Sequence, residues 1–208
     1  MHKAVICLTR ASSEQEAHDN VVNFLEEYGN GDVWDWYVIG GRWSGTLNPL
    51  NKEFTEKAEA HFKSAYPENE NPFLTQNMVK EQDAALREIW DALGGEGNHP
   101  YGRDQYKDVT ANDDILPLST CQEVVKEWTI NREAILEECW AKLLAADADR
   151  KNGKYDMRGY YAKEFHDWEY DKFSFNSNVY DIDERTNNPE HAFKDVNGCY
   201  AVIVDMHN

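Results

Sequence analysis

Two apolar, β-branched runs at opposite ends of the chain restrict the fold more than any other feature: KAVICLT at residues 3–9 and CYAVIV at 199–204. Neither alternates polar with apolar residues. Each therefore reads as a strand covered on both faces, which requires a sheet and layers packed against it. Between them, Ser12 or Ser13 caps a helix with Glu14 and Glu16 in its first turn. Its apolar face is Ala17, Val21, Val22 and Leu25, and Gly29 and Gly31 stop it. A second strand, VWDWYVI at 33–39, ends at Gly40-Gly41, where a turn or bulge is expected.

The middle of the chain has helical periodicity. Helices are expected at 55–66, 75–93 and 120–149, the last broken near 129–131, with loops at 67–73 and 94–117. Ile135, Leu136, Cys139, Trp140, Leu143 and Leu144 form a wide apolar stripe. A further helix is expected at 159–170 and a strand at 173–180. Strands at both ends with helices between them predict an α+β fold in which the first and last strands are neighbours. The expected layout is a small ferredoxin-like sheet built from residues 1–50 and 155–208. Residues 51–154 form a mainly helical insertion in one compact unit.

The chain has 208 residues, with 39 acidic and 21 basic ones, for a net charge of −18. Seven Trp, 11 Tyr and 8 Phe are too many large apolar groups to leave in water, which argues against disorder. The charge argues against direct nucleic-acid binding and against an anionic membrane, since both present phosphates. No run approaches the ~20 apolar residues of a membrane helix, and no secretory leader opens the chain. A cytoplasmic location is expected. Two partner types fit such a surface: a protein with a basic face, or a metal ion or small ligand held in a local pocket. Cys7, Cys121, Cys139 and Cys199 lie far apart, without the spacing of a zinc site.

The segment from Trp34 to Gly45, WDWYVIGGRWSG, carries the densest chemistry. Strand alternation puts Trp34, Trp36 and Val38 on one side and Asp35, Tyr37 and Ile39 on the other. Gly40 and Gly41 allow backbone N–H groups close to a ligand, and Arg42 offers a planar fork for phosphate or carboxylate. Trp43 can stack on a base. In one reading this is an anion or nucleotide pocket. In the other the glycines shape a bulge, Arg42 pairs Asp35 or another buried acid, and the tryptophans are core. Asp205 and His207 share a face of the last strand and suit proton transfer or metal binding. The remaining histidines, His2 among them, are scattered. The acid pairs Asp113-Asp114 and Asp181/Asp183 are possible cation ligands, although the latter lacks the EF-hand glycine and closing glutamate. No metal or cofactor is assigned.

These two ends, WDWYVIGGRWSG and the closing Val204-Asp205-Met206-His207, resemble a family of uncharacterised bacteriophage and prophage proteins. The resemblance covers about a third of the chain and implies a viral origin, without a particular activity. A small acidic phage protein is expected to bind and block a host protein of defence or nucleic-acid processing, whose basic surface it complements. The expected contacts are the acidic stretches at 67–71 and 108–114, through Glu68, Glu70, Asp108, Asp113 and Asp114. The alternative is a small-ligand enzyme or sponge for a phosphorylated or nucleotide-like compound. It would use Asp35, Tyr37, Gly40, Gly41, Arg42, Trp43, Asp205 and His207.

Overall fold

The computed structural model describes residues 2–28, 36–67, 76–102, 113–129, 132–169, 178–187 and 189–207. The two terminal apolar runs form its centre. Strand β1 (His2–Arg10) pairs antiparallel with the last strand, β5 (Cys199–His207), from His2 opposite His207 to Arg10 opposite Cys199. Residues 4–9 of β1 and 201–206 of β5 are all buried, as two-faced burial requires. The far edge of β5 is shared by two short strands in series. Strand β2 (Trp36–Ile39) pairs with residues 204–207 and β3 (Ile115–Pro117) with 200–202. On the other side β4 (Val179–Asp181) runs parallel to β1. The main path of the sheet is β2-β5-β1-β4.

The fold is thus α+β with both terminal strands in one mixed sheet. β1, α1 (Glu14–Tyr28) and β2 make a split β-α-β unit with antiparallel β5 between its two strands. A ferredoxin-like sheet keeps its last strand at an edge. Here the last strand is central and the edge beside β1 belongs to parallel β4. The apolarity of β5 on both faces accounts for its central place, since an edge would leave its backbone and side chains less covered.

One face of the sheet is covered by α1, whose Ala17, Val21, Phe24 and Leu25 pack with Val5, Cys7, Val202, Val204 and Met206. The other face presents Ala4, Ile6, Leu8, Ala201 and Ile203 to Leu118, Cys121 and Val125 of α5 (Leu118–Trp128). The expected insertion at 51–154 therefore contributes β3 and α5 to the sheet layers. Its first helices make their own cluster. Helix α2 (Pro49–Ala65) brings Phe54, Ala58 and Phe62 against Leu86 and Trp90 of α4 (Asp83–Ala92). α2 starts a turn and a half earlier than its periodicity indicates. Asn48 caps it by accepting the Leu50 N–H, and Pro49 stands where a helix has no need of an N–H.

The helix expected at 75–93 is α3 (Gln76–Glu81) and α4, interrupted at Gln82. That expected at 120–149 is α5 and α6 (Arg132–Lys151), and α7 (Arg158–Glu169) packs on α6. The apolar stripe of α6 is wider than its cover: Cys139 and Ala146 are buried, whereas Trp140 and Leu144 are exposed. A five-residue helix, α8 (Glu190–Lys194), precedes β5. All four cysteines are buried thiols. Burial pushes the Cys7 and Cys121 thiols up to about 12 and the Cys199 thiol to about 11. Among the described residues no helix is long and apolar enough to cross a membrane.

Candidate functional site

The pairing of β2 with β5 brings the two chemically dense segments together, with Trp36 opposite His207 and Val38 opposite Asp205. β2 ends because Gly40 turns the chain away. Its φ of 73° and ψ of −82° lie in the strained γ-turn region, and its N–H still donates to the Ile203 carbonyl (2.8 Å). A single 3-10 turn, Gly41–Trp43, follows. On the same edge of β5, the Ile203 N–H donates to the Asp114 carbonyl (3.0 Å). Ile203 thus lies at the junction of β2 and β3.

Two carboxylates fill this junction. Asp114 accepts from Ser44 Oγ (2.7 and 2.5 Å to its two oxygens) and from the Gly45 N–H (2.9 Å). Asp205 accepts from the Arg42 N–H (3.2 Å to Oδ2) and bonds His2 Nδ1 (3.0 Å to Oδ1). The space they occupy is the reason for the two glycines. A Cβ at residue 40 would overlap the Asp114 carboxylate, and one at 41 would lie 2.7 Å from Asp205 Cβ. The anion held by the glycine turn is thus supplied by the chain itself. Above it, the His207 and Trp36 rings stack with centroids 5.5 Å apart and planes within 4°. His2 stands edge-on to both, at 5.1 Å from each.

The candidates from the sequence divide accordingly. Gly40, Gly41, Arg42, Asp205 and His207 meet in space. Arg42 joins through its backbone amide, which donates to Asp205, and its expected partner Asp35 lies outside the described residues. Tyr37 does not join the group. It packs with Met206 against α1 on the opposite face of the sheet, as alternation from Trp36 requires. Trp43 is a packing residue, edge-on to Trp128 with centroids 6.1 Å apart.

Asp114 was expected on an exposed acidic contact surface, and that placement is corrected: it is buried, with its carboxylate turned inward to Ser44 and Gly45. Asp113 is half-buried and accepts from Asn48 Nδ2 (3.3 Å). Asp35, Glu68, Glu70 and Asp108 lie outside the described residues. The pair Asp181 and Asp183 binds backbone and hydroxyl donors: Asp181 caps the Asp183 and Glu184 N–H groups, and Asp183 takes the Thr9 hydroxyl and Arg10 N–H. Among the described residues no group of three or more His, Cys, Asp or Glu is placed to hold a metal ion.

Sequence reasoning missed His2 and Ser44. His2 is 203 residues from Asp205, and only the β1–β5 register connects them. Ser44 stood inside the motif, and its partner Asp114 is 70 residues away.

Burial raises the Asp114 carboxyl above its ordinary value of 3.8, with the Ser44 and Gly45 bonds partly offsetting the shift. The folded chain then holds that proton more tightly than the unfolded chain. Its stability contribution grows as pH falls through the raised value toward 3.8 and is lost as pH rises. Asn at this position does not titrate. Urea midpoints of wild type and Asp114→Asn at pH 7 and near pH 4 test this. Wild type gains on the variant at the lower pH, and a gap that stays constant or closes contradicts the shift.

Comparison of the chain with protein-family models, characterised proteins and solved structures finds no match. The chemistry of its surface and cavities is therefore what bears on function.

Proposed function

We propose that this chain is an accessory protein of bacteriophage type that acts by binding. Its acidic surface docks on the basic face of a host protein, of defence or nucleic-acid processing, and blocks it. One observation carries the reading. Among the described residues the only buried carboxylates are Asp114, Asp181 and Asp205. Three buried carboxylates account for little of a net charge of −18, and the acidic excess that remains suits a cationic partner. Exposed Glu59 on α2 belongs to it, whereas exposed Glu53, Glu56, Glu123 and Glu127 are ion-paired with Lys57, Lys52, Lys126 and Lys52. Such a field accelerates encounter with a cationic face and selects against phosphate-bearing partners. The competing reading, a ligand pocket in the Gly-Gly-Arg-Trp turn, has less to work with. The N–H groups of residues 40, 42, 43, 44 and 45 all donate within the chain.

A tagged pull-down from host lysate at low and high salt tests the proposal. A stoichiometric basic protein is expected at low salt and lost at high salt. Glu68→Lys with Glu70→Lys should weaken capture, whereas Arg42→Ala should leave it intact. Capture that survives both high salt and the charge reversals would exclude electrostatic docking.

A further inference from the structure

Strand β2 has one side paired with β5 and one side open. The Gly40 N–H donates to the Ile203 carbonyl, and the register continues with Val38 opposite Asp205 and Trp36 opposite His207. Antiparallel pairing alternates, so the backbone groups of Trp36 and Val38 turn toward β5 and those of Tyr37 and Ile39 turn away from it. Among the described residues nothing pairs with that outer side. β2 ends the path of the sheet, and the Tyr37 and Ile39 N–H groups donate to no other group. Two donors and two acceptors at alternate residues form a ladder onto which an extended segment can add. The strand, WYVI, has neither the Lys nor the Pro that commonly guards an edge. Its two faces differ. Trp36 and Val38 are 42% and 43% exposed, beside the rings of His2 and His207. On the α1 face, burial and then the nearby Glu26 carboxylate push the Tyr37 hydroxyl up. Glu26 is exposed, with no ion pair among the described residues, and the last turn of α1 holds no basic residue. The helix C-terminus adds its own partial negative charge there.

We infer that the outer edge of β2 is a strand-addition site, which takes an extended segment of a basic partner protein that alternates apolar residues with arginine or lysine. Main-chain hydrogen bonds to Tyr37 and Ile39 hold the segment. Neighbouring residues of an added strand point to opposite faces, so its apolar side chains lie over Trp36 and Val38 and its basic ones reach the Glu26 end of α1. A second copy of this chain fits less well, because it sets −18 against −18 and one Glu26 against another. The segment belongs to the partner proposed above, so the site rests on that reading and adds a registered contact to long-range attraction.

The test is amide hydrogen exchange of the full chain by NMR, alone and with synthetic peptides. Alone, the Tyr37 and Ile39 N–H groups should exchange at least about tenfold faster than those of Val38 and Gly40, which β5 holds. The probe is an end-blocked peptide of about seven residues that alternates arginine with valine. It should slow Tyr37 and Ile39 saturably, by about tenfold or more, and leave Val38 and Gly40 unchanged. N-methylation at one set of alternate peptide residues should abolish the protection and at the other set should not, because only one edge of an added strand meets β2. Glutamate in place of the arginines should weaken binding about tenfold, and Glu26→Gln, an exposed change, should weaken the arginine peptide about threefold. Equal exchange at all four amides, equal effects of the two methylation patterns, equal binding of the glutamate peptide, or unchanged binding to the Glu26 variant would each overturn the site. Protection of Tyr37 and Ile39 without peptide, rising with protein concentration alongside a doubled mass, would overturn the partner as occupant in favour of a second copy. No protection by the peptide, alongside a salt-sensitive captured protein, removes this site and leaves the docking proposal standing. Saturable protection without any captured protein does the reverse.

Discussion

Gly40→Ala is expected to lower the stability of this protein by about 3–5 kcal/mol, the sum of backbone strain and a disrupted buried hydrogen-bond set. The residue adopts φ 73° and ψ −82°, which an L side chain avoids. The added methyl also enters the space of the Asp114 carboxylate. That carboxylate cannot swing aside cheaply, because Ser44 and Gly45 hold it and it is buried. For a chain of this size the loss corresponds to roughly 10 °C in Tm. Gly94→Ala is the control. Gly94 also has positive φ (77°), yet a Cβ there meets nothing within 4 Å, so only the left-handed strain of about 1–2 kcal/mol applies. Thermal melts should show the larger ΔTm for Gly40→Ala, by about 1.5-fold or more. Equal losses would mean that the carboxylate does not dictate glycine at residue 40.

Asp205→Ala is expected to cost about 2–4 kcal/mol, because it removes the acceptor of the Arg42 N–H and the partner of His2 together. It also frees the start of β1 from the end of β5, where His2 and His207 face each other. Asp205→Asn keeps one carbonyl oxygen for the Arg42 N–H and offers its amide to His2 Nδ1, so it should recover at least half of the loss. Urea denaturation of both variants decides this. Equal costs would show that the carboxylate's charge, rather than its hydrogen-bonding shape, holds the junction.

These two acids illustrate what local pattern can and cannot reveal. The strand at 3–9, the strand at 199–204 and the helix between Ser12 and Gly29 were legible because burial imposes a period or a continuous apolar run on adjacent residues. The break in the long helix near 129–131 was legible for the same reason. β3 was not, because three residues carry no period, and they lie in a stretch of Gly, Asn and Asp that reads as loop. The first turns of α2 were hidden by Pro49, which signals a breaker in most settings and a helix start in this one.

The candidate site divides along the same line. That Gly40-Gly41-Arg42 and Asp205 carry structural or chemical weight was visible from composition: paired glycines at a strand end, and an acid closing an apolar run. Their joint purpose was not visible. An acid next to an apolar run looks alike whether it faces a ligand or a backbone amide, and Asp114 looked like one more surface carboxylate among 39 acidic residues.

The sequence by itself determined the two terminal strands, the helix that follows the first of them and the net acidic charge. Each of these depends on neighbours within a few residues or on a sum over the whole chain. Only the tertiary structure decided that β5 lies at the centre and that His2 meets Asp205. It also decided that Asp114 is buried against Ser44. Those outcomes depend on strand register and on contacts between residues 70 to 203 positions apart, and a pairing of that kind leaves no local trace in the chain.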